Sequence, residues 1–481
     1  MAETMQAEVR LDVHSIEPIP EQDRDSTGWQ QFWIWAGANI APINWILGTL
    51  GVGLFKLGLV ETALIIGLTN IAGCAIFGLF AVMGHKTAVN QMVLSRSAFG
   101  RRGGYLSAGI QFLMTIGWIG VNTYFPVKLA VGILGHFNIK DTFGIEFLVA
   151  SVIMAIQVGI GVYGFYLIRT FEKYTVPITG AIMVLMSVLA FSRNGVVNWH
   201  LASKVTGLDH FASITGLITA IGIGWGISWV TWASDYSRFV PKRVPSRQVF
   251  WYSSAGLFIP TVWLAILGAS IASVKPTNDP AILVTQVFGG IVAVLVMLMV
   301  LHGPIATNIL NVYSGALSAA SAGVRVNRLV LGVIEGIAGY GVVIWFLKAP
   351  SFASRFDSWM VGLILWMSAW AGVILSDFYI LRRATVDVDQ LYADPKRSIY
   401  GDINWVAIVA FAAGTLAGWF FEVAPVKQMQ GYVSTHFLHF ADLSWLVAGG
   451  VSSIIYLVGM RGRTTVRVPE QRMAPVAGGS E

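Results

Sequence analysis

The sequence predicts an all-α integral membrane protein of about twelve crossings, with the first and sixth crossings broken. Three observations carry that expectation. Hydrophobic residues fill 55% of 481 positions and charged residues only 12%, about half the charged share of a soluble protein, so a globule in water could not cover its surface. The apolar residues gather into about twelve segments, each near the ~20 residues that cross ~30 Å of hydrocarbon. Two of those segments, about 185 residues apart, are interrupted by proline or glycine.

In chain order the spans are expected at 29–55, 58–83, 105–134, 145–168, 174–192, 211–235, 248–273, 286–320, 327–348, 358–381, 403–422 and 442–461. The eighth is too long for one simple crossing and is expected to begin with a short interfacial helix. Orientation follows from Lys and Arg. The loops after the even-numbered spans, with the two termini, hold 22 of the 31, which places both termini in the cytoplasm by the positive-inside rule. The isoelectric point near 9.3 comes from those short loops. They carry no interleaved aromatic residues, so no nucleic-acid partner is expected; the bilayer is. Residues 1–28 are polar and acidic, without the basic start of a signal peptide, and read as a cytoplasmic tail. Residues 462–481 read as a second one. The single cysteine, Cys74, excludes a disulfide framework and a cysteine metal site.

The first span reads WIWAGANIAPINWILGTLGVG, with Pro42 near its middle and Gly48, Gly51 and Gly53 after it. The sixth ends GWGISWVTWASDYSRFVP. Glycines stand at 222, 224 and 226, and Trp225, Trp229 and Trp232 share one helical face. Those glycines are expected to open the sixth-span break. In lipid a broken helix is tolerated only where it is buried or lines a cavity. One interruption alone reads as a kink. Two at corresponding positions point to inverted repeats around a midplane site. The repeats are expected at 29–192 and 211–381, with 403–461 supplying two further helices.

Polar residues at mid-depth are costly and mark cavities. In the third span Gln111, Thr115, Trp118 and Asn122 fall on one face. In the eighth, Thr307 and Asn311 share a face, with Asn308 beside them. Asparagine offers donors and an acceptor together, as the edge of a nucleobase does, and tryptophan faces suit its flat side. The pattern predicts a site for a small, neutral, planar heterocycle. A charged amino acid would need a counter-ion, and none stands at that depth. His302, one turn before Thr307, reads either as a packed core residue or as a proton-coupling group. Glu335 reads as structural. Asp235 and Asp377 close their spans and are expected to reach loop arginines, and His436 and His439 read as surface residues. The GHKT at 84–87 lacks the upstream glycine of a phosphate-binding loop. No zinc-protease or serine-hydrolase motif occurs, so neither an enzyme nor an organic cofactor is expected. A channel would show polar residues through several depths, whereas these concentrate at one. A membrane receptor or scaffold without transport is the other alternative.

The stretch Trp229–Pro241 fits W-x-x-x-A-x-D-Y-[ST]-x-[FY]-x-P and resembles the end of the sixth helix in nucleobase–cation symporter family 1, in its purine–cytosine permease branch. GWIGVN at 117–122, TNILNVYSG at 307–315 and LSRSAFGRRGG at 94–104 support the resemblance, which covers roughly 29–460. It implies a leucine-transporter-type fold: two inverted five-helix repeats plus two helices, with helices 1 and 6 broken. It implies that Trp118 and Trp229 stack on the substrate ring, that Asn122 and Asn311 bond its edge, and that Ser228 contributes backbone. Thr307 and the helix 1 residues Asn39, Pro42 and Asn44 join the expected site. Two positions depart from the pattern. Leu310 stands where the branch often carries proline. Ala306 and Ile305 stand where sodium-coupled members carry hydroxyls. The expected coupling ion is therefore H+, with Na+ as the alternative and His302 as the coupling candidate. The expected protein is a monomeric symporter importing a cytosine- or purine-type base by alternating access. Allantoin, a hydantoin, thiamine or pyridoxine is the alternative cargo.

Overall fold

Thr27 starts the bundle. Its hydroxyl accepts from the Gln30 N–H at 3.1 Å, and the Gln30 side chain accepts from Thr27 N at 2.9 Å. This capping box supplies partners that a first helical turn lacks. The computed structural model describes residues 15–161, 165–349 and 351–463; the outer parts of both expected tails lie outside them.

From that cap run α1 (Gly28–Asn39), α2 (Pro42–Gly53) and α3 (Leu59–Thr87). The short α4 (Gln91–Leu94) and α5 (Arg96–Phe99) lead into α6 (Gly104–His136). Next come α7 (Phe143–Gly161), α8 (Phe165–Ser192) and α9 (Gly207–Leu217). The sixth span continues as α10 (Ile223–Ser228) and α11 (Ala233–Ser237), followed by α12 (Ser246–Ala272). The rest are α13 (Pro280–Val287), α14 (Gly290–Val300), α15 (His302–Ser321), α16 (Arg328–Leu347), α17 (Phe352–Leu375), α18 (Trp405–Trp419), α19 (Tyr432–His436) and α20 (Ser444–Met460). Among the described residues eight helices are long and apolar enough to cross a bilayer, and three shorter apolar helices accompany them.

The bundle keeps its mid-depth polar residues inside an apolar core and presents an apolar surface. Asn39, Asn44, Gln111 and Asn308 are fully buried, whereas Leu68, Ile337 and Val458 are each more than 60% exposed. Water would reward the reverse arrangement; lipid rewards this one. The core pairs α12 with α1, α2 and α3, and α6 with α15 and α16.

Three spans differ from expectation. α8 already runs from Phe165, so 169–173, expected as a loop, is helical. The short helix expected at the start of the eighth span lies just before it, at α13, where the Asp279 carboxylate accepts from Ala281 N at 2.8 Å. The tenth span starts six residues early, at Phe352, because Ser351 caps it by accepting from Ser354 N, and its last turn, Ser376–Leu381, is π-helical.

The first span breaks at Ile40–Ala41, and Pro42 opens α2 at the position where its missing N–H costs nothing. The freed carbonyls find side chains: Asn44 Nδ2 donates to Asn39 O, and the Thr307 hydroxyl donates to Ala38 O at 2.9 Å. The sixth span breaks elsewhere than expected. Residues 222–226 stay helical, after a π turn at Ile218–Gly222. The interruption is at Trp229–Trp232, a run of tight turns in which Trp229, Val230 and Trp232 N–H donate to carbonyls three residues back. The glycines serve packing. A Cβ at Gly226 would lie 2.1 Å from the Gly73 carbonyl carbon of α3, and one at Gly73 would lie 2.6 Å from Ile223 O.

Candidate functional site

Both breaks face the same small space. α6 brings Trp118 and Asn122 to it, α15 brings Thr307 and Asn311, and the sixth span brings Trp225, Ser228, Trp229 and Trp232. They enclose a cavity of about 10 Å³, roughly the room one water needs, so the walls are drawn together in this conformation. The rings meet edge to face. Trp118 lies 5.9 Å from Trp225 at 85°, Trp225 lies 6.3 Å from Trp229 at 76°, and Trp35 lies 5.8 Å from Trp229 at 76°. Aromatic quadrupoles favour such crossings. Among the described residues nothing charged lines the cavity.

The third-span face divides. Trp118 and Asn122 reach the cavity, while Gln111 and Thr115 lie further along the helix, buried and outside its wall. Asn308 ties helices together: its Nδ2 lies 3.0 Å from Ile119 O, 3.0 Å from Thr123 Oγ1 and 2.9 Å from Gln157 Oε1. Its Oδ1 accepts from Asn311 Nδ2 at 3.1 Å, so Asn311 is aimed by the same knot that joins α15 to α6 and α7. The Ser228 hydroxyl donates to Trp225 O at 2.7 Å.

The first-helix residues fall differently from expectation. Asn39, Pro42 and Asn44 do not line the cavity. Asn39 Oδ1 accepts from Trp225 Nε1 at 3.0 Å and from the Thr261 hydroxyl at 3.1 Å. Asn44 is turned back on the break, and Pro42 is fixed as the first residue of α2. The break engages the Asn39 amide and the Asn44 amide nitrogen, and Ile43 forms that part of the wall instead. Ile43 carried no signal in the sequence, being one aliphatic residue among many. Trp225 and Trp232 had one in their shared face with Trp229. His302 begins α15, and its side chain lies outside the described residues.

On the termini-bearing face the loop after α3 closes the bundle. Gln91 N donates to the Asp235 carboxylate at 2.9 Å. Asp377 meets a loop arginine, Arg382 Nε, at 2.8 Å, and accepts from the Ser97 hydroxyl at 2.8 Å. Arg96 donates to Ser321 O at 3.0 Å and to Leu391 O at 3.3 Å, and burial pushes its guanidinium down to about 10. The N-terminal segment covers this plug, with Ile19 N donating to Ala88 O and Ser26 N to Phe239 O, each at 3.0 Å.

Residues 18–448 match the family model described as permease for cytosine/purines, uracil, thiamine, allantoin. The chain is similar to the putative purine-cytosine permease YxlA of Bacillus subtilis, 24% identical over 96% of this chain and 99% of that one. It is similar to the purine-cytosine permease FCY21 of Saccharomyces cerevisiae, 24% identical over 79% of this chain and 73% of that one. Its fold matches that of Mhp1, a nucleobase-cation-symport-1 family transporter solved closed with bromovinylhydantoin bound, at a TM-score of 0.75 and 18% identity, over 93% of this chain and 94% of that one. The fold is of the leucine-transporter type.

Proposed function

The chain belongs to the family of permeases for cytosine/purines, uracil, thiamine and allantoin, and on that premise we propose that it imports a cytosine- or purine-type base by proton symport. It is a multi-pass membrane transporter, not an enzyme. The observation that carries the substrate reading is the uncharged cavity walled by Trp118, Trp229, Asn122 and Asn311. In this reading Trp118 and Trp229 stack on the ring, while Asn122 and Asn311 read its donor and acceptor edge. Thr307 holds α15 to the end of α1, and Ser228 sits where the sixth span loosens. The wall parts to admit the base and closes on it, which is alternating access with both termini in the cytoplasm.

Proton rather than sodium coupling is supported by Ala306 and Ile305, which offer no hydroxyl, and by the commitment of the Thr307 hydroxyl to Ala38 O. The second reading, a related heterocycle such as allantoin, a hydantoin or thiamine, rests on the breadth of the family.

A thermal-shift screen of purified protein against cytosine, adenine, uracil, allantoin, hydantoin and thiamine tests the substrate class, because a ligand stabilises the state it binds by mass action. A shift with cytosine or a purine base is expected. A shift with thiamine alone would overturn the nucleobase reading. Counterflow of the stabilising compound in proteoliposomes is expected as well, and its absence would leave a binder in place of a transporter. Accumulation should follow an imposed pH gradient and ignore a sodium gradient.

A further inference from the structure

Glu335 stands at the middle of α16, fully buried, and among the described residues neither carboxyl oxygen has a hydrogen-bond partner. From sequence alone Glu335 reads as structural, but a structural carboxyl in a bilayer would be expected to bind something. Its surroundings offer little. On the α15 side it presses on Gly315, where an added Cβ would lie 1.7 Å from Oε1. On the α6 side it faces the Thr115 hydroxyl, which is near enough to interact with the carboxyl but donates to Phe112 O at 2.7 Å. Other titratable groups on the helices packed around α16 sit at different levels or are engaged. Tyr105, Tyr124, Lys128 and His136 on α6 are nine or more residues from Thr115, a rise of about 13 Å or more. Lys128 pairs with Asp141 and with Glu146 of α7. Tyr313 on α15 accepts from Arg238 Nη2 at 2.9 Å. On α17, Arg355 lies over the Trp345 ring and Asp357 is near that helix's start. Tyr340, on α16 itself, shares a bond with the Ser151 hydroxyl. The side chains of His302 and Arg328 lie outside the described residues.

The placement matters as much as the isolation. Gly315 is one turn beyond Asn311 on α15, and Thr115 is one turn before Trp118 on α6. Glu335 therefore touches the two adjoining helices that carry Trp118, Asn122, Thr307 and Asn311 of the cavity wall, about one helical turn from Asn311 and from Trp118. A bare charge there would be desolvated without compensation. Losing the proton must draw water or a donor toward the carboxyl, and the closest matter to move is the α15 backbone at Gly315. Ionisation would be felt first by the backbone of the helix that bears Asn311.

We propose that Glu335 is the residue that binds the coupling proton. The carboxylate takes one proton from the face opposite the termini and releases the same proton to the termini-bearing face, so one H+ crosses for each turn of the cycle and no bond other than O–H is made or broken. The proposal rests on the proton-symport reading above, and it names a carrier on α16 in place of His302.

The test uses full-length protein in proteoliposomes, with the substrate found by the thermal-shift screen. Wild type is measured first: if an inward proton gradient fails to drive its accumulation, the symport reading itself falls. Given that accumulation, Glu335→Gln, which preserves shape and removes the titration, is expected to abolish it while retaining counterflow, because exchange needs no net proton movement. Glu335→Gln that still accumulates substrate under a pH gradient, and still acidifies the lumen on substrate addition, would overturn the proposal. So would a variant that loses counterflow and accumulation together while staying folded, since that marks a structural role. If Glu335→Gln does not fold, Glu335→Asp keeps a carboxyl. It is expected to retain gradient-driven uptake with a displaced pH profile, and an unchanged profile would overturn the proposal.

Discussion

The two broken spans solve one problem in opposite ways. The first stops cleanly. Ile40 and Ala41 leave the helix, Pro42 restarts it, and Asn39 and Asn44 bond the exposed backbone and the neighbouring Trp225. The sixth loosens without stopping. It passes through a π turn at Ile218–Gly222, recovers, and then yields over Trp229–Trp232 in tight turns. Proline breaks a helix by its own chemistry, through a missing donor and a ring that collides with the preceding turn. Glycine has no such obligation. It weakens a helix where nothing packs on it and tightens a contact where a neighbour arrives, and Gly73 arrives at Gly226.

That contrast can be broken most violently at Gly226. Gly226→Val would push a side chain into the Gly73 backbone 2.1 Å away, and the expected result is loss of monodisperse protein on size-exclusion chromatography. Gly53→Ala in the first span, with nothing within 4 Å of the added carbon, should leave the elution profile unchanged. If both variants behave alike, the packing role of the sixth-span glycines fails.

Next in size is Trp229→Ala. It removes a ring at the sixth break without burying a charge, so uptake should vanish in a transport assay while expression and folding persist. Normal uptake would remove Trp229 from the site. Asn311→Ala should weaken substrate binding by roughly 1–3 kcal/mol, read by calorimetry, because it leaves a polar edge unpaired.

Asn39→Ala probes the first break. It strips the shared acceptor from Trp225 Nε1 and Thr261, and the expected cost is about 1–3 kcal/mol of stability. A lowered melting temperature with substrate affinity little changed would fit a residue that braces the break. A selective loss of affinity would return Asn39 to the cavity wall.

A pH-dependent effect lies beyond both breaks, on the segment between α18 and α20. Burial, with Asp442 and Asp357 nearby, pushes the Glu422 carboxyl up to about 8. The fold favours its neutral acid, so stability should be fullest below the ordinary glutamate range and decline as pH rises toward and through 8. Melting temperatures across that window should fall for the native chain and fall less steeply for Glu422→Gln.

Much of this was legible from spacing. Trp118 and Asn122, and Thr307 and Asn311, announce themselves because polar and aromatic residues at helical intervals within apolar spans share one face and one depth. What spacing cannot show is how a polar group is used once helices meet. Asn39 and Asn308 look like site residues by composition, yet one braces a break and the other knots α15 to α6 and α7. Ile43 is invisible for the converse reason: its place in the wall comes from the angle of α2 after the break and from nothing in its chemistry. The position of the sixth break stayed hidden because it depends on α3, which lies about 150 residues earlier in the chain.

The two π turns, Ile218–Gly222 and Ser376–Leu381, have a mechanical consequence. Each packs one residue more than an α turn would hold over the same rise, a slack link in an otherwise taut rod. When such a link migrates, every residue it passes is re-aimed by roughly 100° about the axis while the rod's ends stay put. Each link also has a latch: Thr219 bonds Asp442 in the first, and Asp377 bonds Arg382 in the second. The bundle thus holds a spare residue at two places, one on the sixth span and one on the tenth, each pinned by a side-chain bond.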